Sequence, residues 1–333
     1  MGALRILGLL VALLPSMAIA GRSAATCEPV GQIRFICGLV SPEDLAIVPG
    51  DEWVIASGDR EGGRLQLVNV RNKTATPLFP APTRSERLDA AKYPTCPGPI
   101  DPKEGNEFRA HGIYLTPGSG KVHTLHVVHH GFRESIEVFE VDARGSRPAL
   151  TWVGCAVTPK SFVLNAVAAL PEGGFATTNT QAKEVWEWHS KSGWQRVPGS
   201  EDTVPNGIEI SKDGRWLYIA GWAEEKLTRL SRGQTPVRKD VVALGFRPDN
   251  VRMSADGSVI YAAGHGNVQT PRDFPRETSN VAKVNPKTLE VKRIFQHPHI
   301  EGFGGSTTAI TIGKEMWLGT FRGEMIAYFP TPE

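Results

Sequence analysis

The sequence predicts an all-β protein, a six-bladed β-propeller. Three observations carry the fold. A turn rich in Pro, Gly and Asp leads six times into a strand of alternating or wholly apolar residues: PGDEWVIASG from Pro49, PGSGKVHTLHVVHHG from Pro117, PEGGFATTN from Pro171, SKDGRWLYIAGW from Ser211, SADGSVIYAAGH from Ser254 and IGKEMWLGTFRG from Ile312. The units recur at intervals of roughly forty to seventy residues, the period of a four-stranded blade. Helical periodicity is nearly absent beyond the N-terminal segment. Two packed β-sheets would also be rich in turns, but they do not call for a repeated D-G-x-x-[IL]-Y unit.

Taken in chain order, the first element is a leader. Arg5 supplies a positive start, the apolar run from Ile6 is too short to cross a bilayer, and Ala18-Ile19-Ala20 is a small-x-small cleavage site. Residues 1–20 are therefore predicted to be a signal peptide and 21–333 a single propeller domain, secreted or periplasmic. Export implies an oxidising compartment, so Cys27, Cys37, Cys96 and Cys155 are expected to form two disulfides, by any of three pairings. Their spacing fits no zinc motif. Lys+Arg 37 against Asp+Glu 35 leaves a net charge of +2, which gives no case for nucleic acid or an acidic membrane surface.

Candidate site residues sit at the edges of the apolar runs. Glu43-Asp44 lies in SPEDLAIV, Asn165 in SFVLNAVAAL, Asn206 in VPNGIEI and Asp249-Asn250 in FRPDNVRM. Carboxylates and amide carbonyls, without thiolate or clustered imidazole, are the ligands a hard cation such as calcium prefers. A propeller makes this coherent, because the innermost strands of all blades line one channel and residues far apart in sequence can share an ion. Between the first two segments, HGIYLTPGSGKVHTLHVVHH places His111 and His130 nineteen residues apart, at the two ends of one strand pair. Imidazole beside a Lewis-acidic ion suggests water activation.

The stretches PEDLAIVPGDEWVIASG, AHGIYL, LHVVHHGFRESIEVFEVD, LNAVAALPEGGFATTN, PNGIEISKDGRWLYIA, RPDNVRMSADG and GGSTTAITIGKEMWLGT resemble, in order, the paraoxonase/arylesterase family. That family sits within the six-bladed propellers that include gluconolactonases and strictosidine synthase-like proteins. The resemblance runs from about Cys37 to the C-terminus. It implies a catalytic calcium held by Glu43, Asn165, Asn206, Asp249 and Asn250, a histidine dyad of His111 and His130, a pocket histidine at His265 and a pocket wall at Phe303. The family's second, structural calcium uses an acid matching Asp44 and another where this chain has Ala166, so Asp44 is left to take a backbone donor or a weakly held cation. No cysteine follows Cys155 to form the family's disulfide, and closure of the ring must rest on strand pairing or other bridges. Since the leader looks cleavable, the lipid anchoring of animal paraoxonases is not carried over.

The expected activity is hydrolysis of lactones or aryl esters, with the carbonyl polarised at calcium and water activated by His111 while His130 orients it. Asp249 as base or nucleophile remains open at the sequence level. A sugar-lactone hydrolase with a more polar pocket is the nearest alternative, and a non-catalytic propeller binding a partner at its channel mouth is another. The expected partner is a small-molecule ester or lactone. No G-x-S-x-G elbow, P-loop, H-E-x-x-H or dinucleotide fingerprint occurs.

Overall fold

A computed structural model describes residues 27–100, 108–267 and 277–333. The predicted signal peptide lies outside the described residues. The chain forms six sheets in sequence order, each blade's first strand innermost. Blade 1 comprises β2 (Leu45–Val48), β3 (Trp53–Ala56), β4 (Leu65–Asn69) and β5 (Thr74–Phe79). Blade 2 comprises β7 (Arg109–Thr116), β8 (Val122–His130), β9 (Ser135–Asp142) and β10 (Ala149–Val157), with the short β6 (Ser85–Glu86) added parallel to β10. Blade 3 runs through β11 (Leu164–Ala169), β12 (Phe175–Asn179), β13 (Glu184–His189) and β14 (Gly193–Arg196). β15 (Pro205–Ile210), β16 (Trp216–Gly221), β17 (Lys226–Ser231) and β18 (Lys239–Ala243) form blade 4. Blade 5 holds β19 (Arg247–Met253), β20 (Ile260–Asn267), β21 (Glu277–Val284) and β22 (Val291–His297).

Blade 6 takes strands from both ends of the chain. β23 (Ala309–Ile312), β24 (Glu315–Leu318) and β25 (Met325–Pro330) come from the C-terminus. The N-terminal β1 (Arg34–Cys37) pairs antiparallel with β25, Phe35 opposite Ala327. Strand pairing therefore closes the ring, and the exposed edge that β25 would otherwise present is covered. The two disulfides are Cys27–Cys37, which ties the N-terminal segment to β1, and Cys96–Cys155, which ties the loop after β6 to β10.

Each of the six turns seen in the sequence joins an innermost strand to its neighbour. In SKDG and SADG the aspartate folds the turn itself: Asp213 Oδ1 accepts from the Arg215 and Asp256 Oδ1 from the Ser258 backbone N–H, at 3.1 and 3.0 Å. Gly214 and Gly257 follow with φ of 71° and 76°, which glycine adopts without penalty. Between blades the β-branched and aromatic faces interdigitate. One such layer includes Ile55, Leu65, Leu67, Ile113, Val127 and Phe139, all fully buried. Each such side chain contributes about 1.5–3 kcal/mol, which is why the blades stack rather than separate. Among the described residues no helix is long and apolar enough to cross a membrane.

Candidate functional site

The predicted ligands lie on one rim of the channel because the innermost strands share a backbone irregularity. In β7, β11, β15 and β19 the register gains one residue, between Ala110 and Ile113, Leu164 and Val167, Pro205 and Ile208, and Pro248 and Val251. The bulged pairs are His111-Gly112, Asn165-Ala166, Asn206-Gly207 and Asp249-Asn250. A β-bulge breaks the in–out alternation and re-aims a side chain, so four blades present a functional residue at the same height. Small partners allow the bulges to nest. A Cβ on Gly112 would lie 2.5 Å from the Asn165 carbonyl oxygen, and one on Gly207 would lie 2.4 Å from that of Asp249.

Contacts run around the whole ring. Ile113 N–H donates to Asp44 Oδ2 at 2.8 Å, joining blades 2 and 1, and Thr178 Oγ1 donates to the Asn206 carbonyl at 2.6 Å, joining blades 3 and 4. Asn250 N–H donates to the Thr307 carbonyl at 2.8 Å, and Thr307 Oγ1 donates to the Glu43 carbonyl at 2.5 Å, joining blades 5, 6 and 1. Glu43 Oε1 accepts from Asn250 Nδ2.

Four oxygens in this ring are buried without a protein partner: Glu43 Oε2, Asn165 Oδ1, Asn206 Oδ1 and Asn250 Oδ1. Leaving one such acceptor unsatisfied costs about 1–3 kcal/mol, and four on neighbouring elements form a donor set suited to a hard cation. Asp249, 6% exposed, adds a second carboxylate to that of Glu43. Burial, and then the charges of Asp44, Asp249 and Asp59, hold Glu43 well above the ordinary carboxylate range. The unpartnered buried oxygens and the two carboxylates are thus the donor chemistry that a divalent cation takes.

His111 stands beside this cluster. Its Nε2 is 3.4 Å from Asn165 Nδ2 and its Nδ1 is 2.9 Å from His130 Nε2, so the structure brings the predicted dyad together. Burial lowers His111 to about 4, which keeps the imidazole neutral. Two carboxylates not singled out from the sequence complete the group. Asp59 Oδ2 lies 3.6 Å from His111 Nε2 and is itself held by Arg109 at 2.9 Å, and Glu134 Oε2 lies 2.8 Å from His130 Nδ1. Asp59, His111 and His130 bring ligand-type atoms within 4.8 Å of one another.

His265 is also in the site. It accepts from Trp222 Nε1 at 3.1 Å, which leaves the proton on Nδ1, 3.9 Å from Asp249 Oδ2. The Phe321 ring covers it at 5.6 Å, and burial lowers it to about 4.

One expectation requires correction. Phe303 does not line the pocket: it is 1% exposed and packs against Phe35 and Met325 in the core of blade 6. Asp44 takes backbone donors, the first of the two alternatives left open for it. Its Oδ1 accepts from Leu45 N–H, and its Oδ2 accepts from Ile113 N–H and from the Arg252 guanidinium. Arg252 also donates to the Ile113 and Val251 carbonyls at 3.0 and 2.9 Å, so a fixed cationic side chain already occupies Asp44's surroundings. Glu209, bonded to Tyr114 and to the Ile210 and Met253 N–H groups, lies within the electrostatic reach of Arg252. Beyond this layer a channel cavity of about 500 Å³, walled by Ile47, Leu115, Leu170, Ile210 and Ile310, opens toward the other rim. It contains none of the candidate ligands.

Comparison with solved structures supports the architecture. The chain is similar to a gluconolactonase from Xanthomonas campestris (14% identity, 90% of this chain and 89% of that one, TM-score 0.56). It is also similar to a luciferin-regenerating enzyme (11% identity, 89% and 94%, TM-score 0.55). A virginiamycin B lyase from Staphylococcus aureus shares the fold (12% identity, 90% and 98%, TM-score 0.53). At these identities the likeness concerns the fold alone, a six-bladed propeller. No protein-family model and no curated protein sequence matches the chain.

Proposed function

We propose that this protein is a calcium-dependent hydrolase of lactones or aryl esters, related in its site to the paraoxonases and exported from the cell. The observation that carries this reading is the set of four partnerless buried oxygens, from Glu43, Asn165, Asn206 and Asn250, with a neutral imidazole beside them. Glu43, Asn165, Asn206, Asp249 and Asn250 would hold the ion. When bound, calcium supplies positive charge that polarises a substrate carbonyl and stabilises the oxyanion that develops.

The chain's own residues do the rest. His111, kept neutral by burial, takes a proton from the attacking water, and Asp59 stands close enough to stabilise the imidazolium that results. Arg109 holds Asp59 in place. Trp222, His265 and Phe321 form an aromatic wall that limits water access on the Asp249 side. The likeness to a gluconolactonase makes sugar lactones a substrate class that the same arrangement would accept.

The test is hydrolysis of phenyl acetate, δ-valerolactone and glucono-δ-lactone by chelated protein, with and without added calcium. Turnover of at least one class that disappears on chelation and returns with calcium is expected. Full activity in the metal-free protein would end the reading.

A further inference from the structure

A base must present a lone pair to its water, and the residues behind His111 determine which ring nitrogen carries it. Glu134 lies in the turn between β8 and β9. Its backbone carbonyl accepts from Thr158 N–H at 3.0 Å and from Thr158 Oγ1 at 3.1 Å, so its position is fixed independently of its side chain. Its carboxylate then bridges two elements: Oε2 meets His130 Nδ1 at 2.8 Å, and Oε1 accepts the Leu164 backbone N–H at 2.6 Å.

The hydrogen-bond inventory sets the proton positions. A carboxylate only accepts, so His130 Nδ1 must donate. Asn165 Nδ2, which can only donate, stands 3.4 Å from His111 Nε2, so a His111 ring with one N–H carries it on Nδ1 and His130 Nε2 is the acceptor. His111 Nδ1, 2.9 Å away, must donate to it. His111 Nε2 is left with the lone pair, and this is the nitrogen beside Asn165. Asp59 would favour the reverse arrangement, but at 3.6 Å it is too distant from Nε2 to hydrogen-bond and is engaged by Arg109 at 2.9 Å.

We propose that Glu134 is the positioning residue of the site, fixing both histidine tautomers so that His111 Nε2 faces the cation cluster as acceptor. The carboxylate that orients the base also holds the backbone N–H immediately preceding Asn165. Base and ion ligand are thereby set against one anchored group, as supporting hydrogen bonds set the ligands in other metal sites. The catalytic consequence rests on the hydrolase reading above, whereas the tautomers do not.

Histidine-selective 15N NMR on the full chain tests the tautomers, with or without activity. Wild-type protein is expected to show both His111 and His130 as Nδ1–H forms, with the His130 proton strongly deshielded. Glu134→Gln should remove that deshielding and lower kcat about 10–100-fold, the usual range for losing an orienting partner, with KM and calcium affinity within about threefold. An Nε2–H form of either histidine in the wild type would overturn the proposal even if the variant fails to fold. So would a Glu134→Gln enzyme with wild-type kcat, or one whose kcat falls while both tautomers persist. Wild-type protein with the expected tautomers but no turnover of any ester would instead count against the hydrolase reading alone.

Discussion

At the residue scale, ion binding and proton transfer fall on different side chains, and substitutions should separate them. Glu43→Gln removes one of two carboxylates from the cluster and leaves the histidines untouched, so calcium affinity should drop more than about tenfold. His111→Gln should instead lower kcat by about two to four orders of magnitude, the range for a positioned base, with calcium affinity within about threefold. Calorimetric calcium titration beside steady-state kinetics separates the two. Near-normal turnover in His111→Gln would move the base to Asp249. The proposed ligands are legible in the sequence because each interrupts an apolar run, and the proposed dyad because its spacing resembles that of the paraoxonase family. Asp59 and Glu134 were not, since in SGDREGG and GFRESI a charged side chain reads as a solvated turn residue. Phe303 is placed at a pocket wall by the resemblance alone, and the chain folds its ring into the core of blade 6.

The strand is the scale at which the site is built. The sequence signal for the bulges is a functional residue followed by a small one, His111-Gly112, Asn165-Ala166 and Asn206-Gly207, and it becomes readable only once the neighbouring strands are seen in contact. Strand β8 carries a second consequence. His126 and His129 are 6% and 0% exposed, packed against Phe175 and Phe108, and burial lowers them from 6.5 to about 4 and about 3. Because the folded values lie below the unfolded ones, the unfolded chain binds more protons in acid. Stability should fall as pH drops from about 6.5 towards 4, by up to about 1.4 kcal/mol per pH unit for each histidine. Denaturant titrations across that window should show the decline, and His129→Phe should reduce its slope by roughly one proton's share. A slope unchanged by His129→Phe would assign the acid sensitivity to other groups.

For the whole molecule, the six recurring turns were enough to give the blade count, because each one joins an innermost strand to its neighbour. Closure by β1 on β25 could not be read, since RFIC carries no mark of its partner. Nor could the Asp44–Arg252–Glu209 layer, whose members lie in three different blades and meet only when the ring forms. That layer bears directly on the proposed ion count, because Arg252 already pairs with Asp44, whereas the oxygens of Glu43, Asn165, Asn206 and Asn250 have no protein partner. Calorimetric calcium titration of chelator-stripped protein decides whether this rim holds an ion. One calcium ion per chain is expected in the wild type, with a binding isotherm lost or greatly weakened in Asn206→Ala, while Asp44→Asn retains one ion. Two ions per chain, no binding at all, or binding indifferent to Asn206→Ala would contradict it.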